Sequence, residues 1–214
     1  MNDSNGMYLK FITLFAISVG YWSLAFGQDL ILNVYHYSDY HSHAIPFFSE
    51  GKPSQGGIAR VFSYLRSEKS KDHEALIING GDSMNRGSPS YSDKFQCQEW
   101  SWYNGLCDAM ALGNHEFDYG FKVFEECRKK IKYPIVNATL VGISNRKPFF
   151  NIKGKPYLIL KRKGLRIGLF AVSGSDFPTL ISKQNMPENT EFQDPILATR
   201  LVVEALRKEN VNAI

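Results

Sequence analysis

Cysteine is scarce in this chain: Cys97, Cys107 and Cys127 are the only three among 214 residues. An odd number cannot close a disulfide framework, and the spacings fit no zinc knuckle. The fold must therefore rest on a hydrophobic core, which 43% hydrophobic residues can supply. One bridge, Cys97–Cys107 with Cys127 free, and three buried thiols are the two arrangements left open. Strong charge is missing too. The net charge is +4, and Lys and Arg are scattered except at Lys161, Arg162 and Lys163. That run lies beside a turn and reads as a solvated hairpin tip, so no nucleic-acid polymer is expected as a partner. There is no internal repeat and no low-complexity linker, which excludes solenoids and points to one domain.

Long uncharged runs are absent except for "FITLFAISVGYWSLAFG", Phe11–Gly27, with Lys10 before it. A basic flank, an apolar stretch and small residues at Ala25 and Gly27 resemble a signal peptide. The run falls slightly short of the about 20 residues that a bilayer span needs. Residues 1–27 are thus expected to be a signal peptide, with an uncleaved N-terminal anchor as the alternative. Either way residues 28–214 are exported, to a periplasm or the cell exterior. A membrane is a partner only if the segment stays uncleaved.

The rest of the chain alternates between strand and helix patterns. Leu30–Ser38 reads as a strand. Gly56 and Gly57 open a helix with Ile58, Val61, Phe62 and Leu65 on one face. Ala75–Asn79, Asp108–Leu112 and Pro134–Ala138 are short apolar strands, and Phe121–Ile131 is a helix between the last two. "PYLILKRKGLRIGLFAVSG" predicts a hairpin turning at Lys163–Gly164. Asp194 followed by Pro195 predicts a helix start. The final "VNAI" reads as the beginning of a strand. The pattern is α/β.

Three of these strands end in chemistry. The first runs into "SDYHSH" with Asp39 and His41. The next ends at Asp82 in "GGD", and the third in "GNHEFD" with Asn114, His115 and Asp118. Parallel neighbouring strands would bring these tips to one crevice at the sheet's C-terminal edge. Carboxylate, imidazole and amide oxygen suit a mixed N/O metal site. His36 and His43 read as structural, and Glu116 as solvent-facing.

Taken in order, "VYHYSDYH", "GGIAR", "GGDSMNRGSPSYS", "GNHEFDYG", "YPIVNAT" and "GLRIGLFAVSG" resemble the blocks of the calcineurin-like metallophosphoesterases, in the branch of secreted 5′-nucleotidases and UDP-sugar hydrolases. The resemblance runs from residue 31 to the end. It implies a sandwich of two β-sheets flanked by helices and two divalent metal ions, Zn²⁺ or Mn²⁺. Asp39 and His41 would hold the first metal, Asp82 would bridge both, and Asn114 would ligate the second. His115 and Asp118 would be the catalytic pair. The implied reaction is hydrolysis of a nucleotide or other phosphoester by a metal-activated water. The 2′,3′-cyclic-nucleotide phosphodiesterases and UDP-sugar hydrolases are alternatives, and an inactive ligand-binding protein on the same fold is an alternative of another class. Ser38 and Thr139 depart from the family, which has asparagine at both positions. Later histidines of the family's metal site, and a second, nucleoside-binding domain, do not occur within these residues. The resemblance thus implies a catalytic domain incomplete at its C-terminus, in a longer full-length protein.

Overall fold

The computed structural model describes residues 29–214, and the segment Phe11–Gly27 lies outside them. Among the described residues no helix is long and apolar enough to cross a membrane. Ile31–Ile214 makes one structural unit. Its chain order is β1 (Val34–Tyr37), a hairpin of β2 (Phe47–Ser49) and β3 (Lys52–Gln55), α1 (Ile58–Lys71), β4 (Leu76–Asn79), the short α2 (Ser92–Phe95), β5 (Ala109–Ala111), α3 (Phe121–Arg128) and β6 (Ile135–Val136). Next come β7 (Leu140–Gly142), β8 (Tyr157–Arg162), β9 (Leu165–Phe170), the short α4 (Phe177–Leu180), β10 (Thr190–Phe192) and α5 (Pro195–Lys208).

The expected strands and long helices are present, trimmed at their ends, except that the terminal "VNAI" makes only an isolated bridge. The strands β1, β4, β5 and β6 form one sheet in that order, and every pairing is parallel. All four C-terminal ends therefore lie on one edge. Side chains alternate across this sheet. Ile77, Met110 and Ile135 enter the main core with α1 residues Ile58 and Leu65 and α3 residues Phe124 and Cys127. Ala109 and Val136 face the other way and pack against Leu158, Leu160 and Leu169 of the hairpin β8–β9. The far side of that hairpin, through Tyr157, Ile159 and Phe170, is covered by Ala198, Val202 and Leu206 of α5. The architecture is thus a layered sandwich of helix, parallel sheet, antiparallel hairpin and helix. Ala213, in the terminal "VNAI", bridges to Ile167 in parallel and so joins the edge of the hairpin layer.

The start of α5 follows its sequence signal: the Asp194 carboxylate accepts a hydrogen bond from the Leu197 backbone N–H at 2.7 Å, with Pro195 at the first helical position. The hairpin tip differs from expectation. It is tied back rather than left in solvent: Arg162 pairs with Asp108, and Lys163 Nζ lies 2.8 Å from Asp72 Oδ2. Two pairs escaped the sequence reading, the hairpin β2–β3 and the antiparallel partners β7 and β10. Their strands are three or four residues long, too short for alternation to register.

Cysteine pairing is corrected as well. The bridge joins Cys97 to Cys127, not to Cys107, with the Cα atoms 5.7 Å apart. Helix α3 turns Cys127 into the core beside the 3₁₀ turn that starts after Cys97. Cys107 stays a buried free thiol at the entrance to β5, with its Sγ 3.1 Å from the Ala109 carbonyl. Burial pushes that thiol up to about 12, so it is chemically quiet. The bridge spans a separation of 30 residues, a loop whose closure stabilises the fold by about 3.6 kcal/mol.

Candidate metal and catalytic centre

The chain leaves β1 and β4 side by side, and the two loops stay zipped past the end of the sheet. Backbone N–H groups of Asp39, His41 and Ser42 donate to the carbonyls of Gly81, Asp82 and Ser83 at 3.0, 3.0 and 3.1 Å. To do this the backbone takes left-handed φ at Asp39 (53°), His41 (48°), Ser42 (57°) and Asp82 (53°). Each such non-glycine residue costs about 1 kcal/mol or more, and such strain gathers where surrounding bonds over-determine it.

Glu116 supplies the strongest of those bonds. It is fully buried, not solvent-facing as its place in a loop motif suggested. One carboxylate oxygen accepts from the Ser83 N–H at 2.7 Å, and the other from the N–H groups of Asp82 and Gly113 at 2.9 and 2.6 Å. A single side chain thus clamps the "GGD" loop to the "GNHEFD" loop. Burial, with the nearby Asp82 charge, pushes its carboxyl up to about 7 against the pull of those donors. Nothing in the alternation of the sequence marks this acid. The signal lies in the three-dimensional need of two glycine loops for an acceptor. Glu116→Gln would point an NH₂ group at N–H donors and strand at least one of them. We expect a loss of about 2 kcal/mol of stability, read as a fall in chemical-denaturation midpoint. A midpoint equal to wild type would show that the clamp carries no weight.

The glycines are equally constrained. A Cβ on Gly113 would lie 2.2 Å from Asp82 Oδ1, and one on Gly81 2.6 Å from the Gly113 nitrogen. The two loops touch backbone to backbone, and this contact presses the Asp82 carboxylate toward the third loop. Its Oδ1 accepts from the His115 N–H at 3.0 Å.

Three predicted residues meet at this point. His41, Asp82 and His115 each offer a ligand atom, and all three atoms lie within 4.8 Å of one another. The two imidazole rings are 4.5 Å apart between centroids. His41 Nε2 is buried and has no hydrogen-bond partner among the described residues. A buried, unpartnered imidazole nitrogen facing a carboxylate and a second imidazole is a donor set that fits a divalent transition metal. Asp39 stands at the rim: its side chain is 69% exposed, with Oδ1 3.9 Å from His41 Nε2. Asn114 is outside this cluster and lines a cavity of about 300 Å³ together with Asp118 and Arg86.

His115 and Asp118 form the predicted pair. His115 Nδ1 lies 2.8 Å from Asp118 Oδ2. An ionised carboxylate only accepts, so Nδ1 carries the proton given to Asp118 and Nε2 is left for a ligand or a proton. Asp118 is itself steadied by the Arg86 N–H at 2.9 Å. Arg86 was not singled out in the sequence. Its side chain makes no ion pair or hydrogen bond with another described residue, and it opens onto the cavity shared with Asn114 and Asp118. His36 lies on the exposed side of β1. His43 packs its ring against Phe47, with centroids 4.8 Å apart, on the neighbouring flap.

Comparison with known proteins gives the family and the fold. The sequence profile of the family described as calcineurin-like phosphoesterase matches residues 32–210. Protein UshA of Escherichia coli (strain K12) is 26% identical over 212 residues, covering 95% of this chain and 36% of that protein. The 2′,3′-cyclic-nucleotide 2′-phosphodiesterase/3′-nucleotidase of Haemophilus influenzae is 22% identical and covers all of this chain and 35% of its own length. In fold, the crystal structure of a 5′-nucleotidase precursor from Thermus thermophilus superposes with a TM-score of 0.69 at 24% identity, over 85% of this chain and 35% of that one. The chain spans about a third of the length of the curated relatives it matches. With its sequence blocks in order, its strand tips convergent and its fold superposable, the chain belongs to the calcineurin-like phosphoesterase family.

Proposed function

We propose that this chain forms the metal-binding catalytic centre of a phosphoester hydrolase of the 5′-nucleotidase type, acting on nucleotides. The observation that carries the proposal is the meeting of His41, Asp82 and His115 beside the His115–Asp118 pair. Asp39, His41, Asp82 and Asn114 would hold the metal ions, with Asp82 shared between them and Asn114 offering its amide oxygen. Zn²⁺ and Mn²⁺ suit these ligands. Divalent cations bound here would supply a water activated near neutral pH and a clamp on phosphate oxygens.

The chain's own residues do the rest. Asp118 fixes the tautomer and orientation of His115. A protonated His115 presents Nε2–H to oxygens whose charge grows as the phosphoester bond breaks, and that interaction strengthens in the transition state. Arg86 lines the same cavity as Asn114 with a guanidinium that no other described residue engages, and it would hold a phosphate oxygen. Residues 1–27 act as the export signal, and residues 28–214 belong to the phosphoesterase domain, which works in a periplasm or outside the cell.

The test is phosphate release from AMP by the protein as its gene encodes it, with Mn²⁺ or Zn²⁺, before and after chelation. Metal-dependent release supports the proposal. A metal-loaded protein that leaves AMP, cyclic nucleotides and nucleotide sugars untouched would overturn it in favour of ligand binding on an inactive fold. In the same assay Arg86→Ala is expected to raise KM for AMP about tenfold and to change kcat little, because its contact is made to substrate and transition state alike. An unchanged KM would remove Arg86 from substrate binding.

A further inference from the structure

Away from the metal centre, the segment from Tyr91 to Trp102 folds over the loop after His41 and encloses a second cavity of about 390 Å³. Ala44, Ile45, Tyr91, Phe95 and Trp102 make its apolar and aromatic wall, and Ser42, Ser92, Gln96 and Gln98 add neutral polar groups. One wall residue is a carboxylic acid. Glu99 is only 6% exposed and lines this cavity. The groups around its carboxyl are the phenols of Tyr40, Tyr103 and Tyr133. Tyr40 comes near enough to ease its charge, yet the Tyr40 and Tyr103 hydroxyls find no hydrogen-bond partner among the described residues. No lysine or arginine neutralises Glu99 among the described residues, although Lys94 rests on the ring of Phe95 at 5.3 Å.

A buried carboxyl without a cationic partner is costly, and proteins rarely keep one that nothing uses. Burial pushes it up to about 7, so the ionised form is reached in mildly alkaline solution. Aromatic walls and one carboxylate make a recognisable chemistry. The ring faces attract a cation, the apolar area accepts its hydrocarbon body, and the carboxylate takes the ammonium protons. We propose that this cavity is a binding site for a small organic ammonium ion with an apolar body, held by Glu99 and capped by Trp102. None of Asp39, His41, Asp82, Asn114, His115 or Asp118 lines it, so the site stands or falls independently of the metal centre. Ser42 is its link to that centre: it forms part of the cavity wall, and its hydroxyl accepts from the Asn85 N–H at 3.0 Å beside His41.

Phenethylammonium is a suitable probe, with phenethyl alcohol as its uncharged counterpart, titrated into the full chain at pH 8 and followed by calorimetry and ligand-observed NMR. We expect the amine to bind with Kd of about 1 mM or below. The alcohol should bind at least tenfold more weakly. Glu99→Gln keeps the shape of the side chain and should weaken the amine at least tenfold without affecting the alcohol. Trp102→Ala, at a half-exposed position that cannot unfold the core, should weaken both. Equal binding of the amine to wild type and Glu99→Gln, or no binding of either probe to the folded wild type, would overturn the proposal and leave the cavity to ordered water.

Discussion

Replacing Asp82 by alanine is expected to reduce the affinity of the folded chain for Mn²⁺ or Zn²⁺ by at least a hundredfold in calorimetric titration. Its carboxylate lies between His41 and His115, with the ligand atoms of all three within 4.8 Å. It is the only anionic member of that cluster. Without it His41 keeps only the exposed Asp39 beside it and Asn114 is left alone, a weak donor set for either ion, and truncation also frees the His115 N–H that Oδ1 holds at 3.0 Å. Any bridging between two ions depends on this carboxylate, so the stoichiometry should fall along with the affinity. Circular dichroism should show the fold intact, because Glu116 still clamps the Asp82 and Ser83 backbone from the other side. An affinity equal to wild type in the folded variant would remove Asp82 from the site. Asp39→Ala, at a side chain 69% exposed, should cost less, about tenfold.

His115→Asn is the second large effect. We expect kcat for AMP to fall by about 10²–10³ while KM changes less than threefold. The ring is held at Nδ1 by Asp118 at 2.8 Å, which leaves Nε2 to meet charge that develops only as the bond breaks. Losing such an interaction lowers kcat rather than raising KM. Asparagine cannot carry a proton to that position and cannot reach as far. Asp118→Asn should change kcat in the same direction by a smaller factor, because the ring then loses its fixed tautomer but not its donor. Metal content, measured alongside by elemental analysis, separates catalysis from ligation. If His115→Asn loses metal together with rate, His115 acts as a ligand beside His41 and Asp82, and the assignment of a proton-carrying role falls.

Much of this was legible in the chain. Four short apolar runs, each succeeded by helix or turn signals, suit parallel strands, since parallel neighbours require crossovers. Strand direction then dictates that "SDYH", "GGD" and "GNHEFD" share an edge. That is a consequence of topology and needs no side-chain detail. The family resemblance named the same residues. Asp194–Pro195 dictated its helix through one local hydrogen bond, which a sequence can show directly.

Contacts between distant segments were another matter. Cys97 chose Cys127 over the nearer Cys107 because α3 packs against the 3₁₀ turn, and sequence separation carries no information about that packing. Glu116 reads as one more charged residue in a loop. Only the approach of Gly81 to Gly113 creates three backbone donors with no partner but its carboxylate. Arg86 and Glu99 likewise acquire meaning from what surrounds them, one as a cation unpaired among the described residues beside Asn114 and Asp118, the other as a buried carboxyl among aromatic rings. Periodicity and motif order are local properties, and the chain states them outright. Burial, hydrogen-bond satisfaction and ligand geometry are sums over neighbours far apart in sequence, and only the folded chain fixes them.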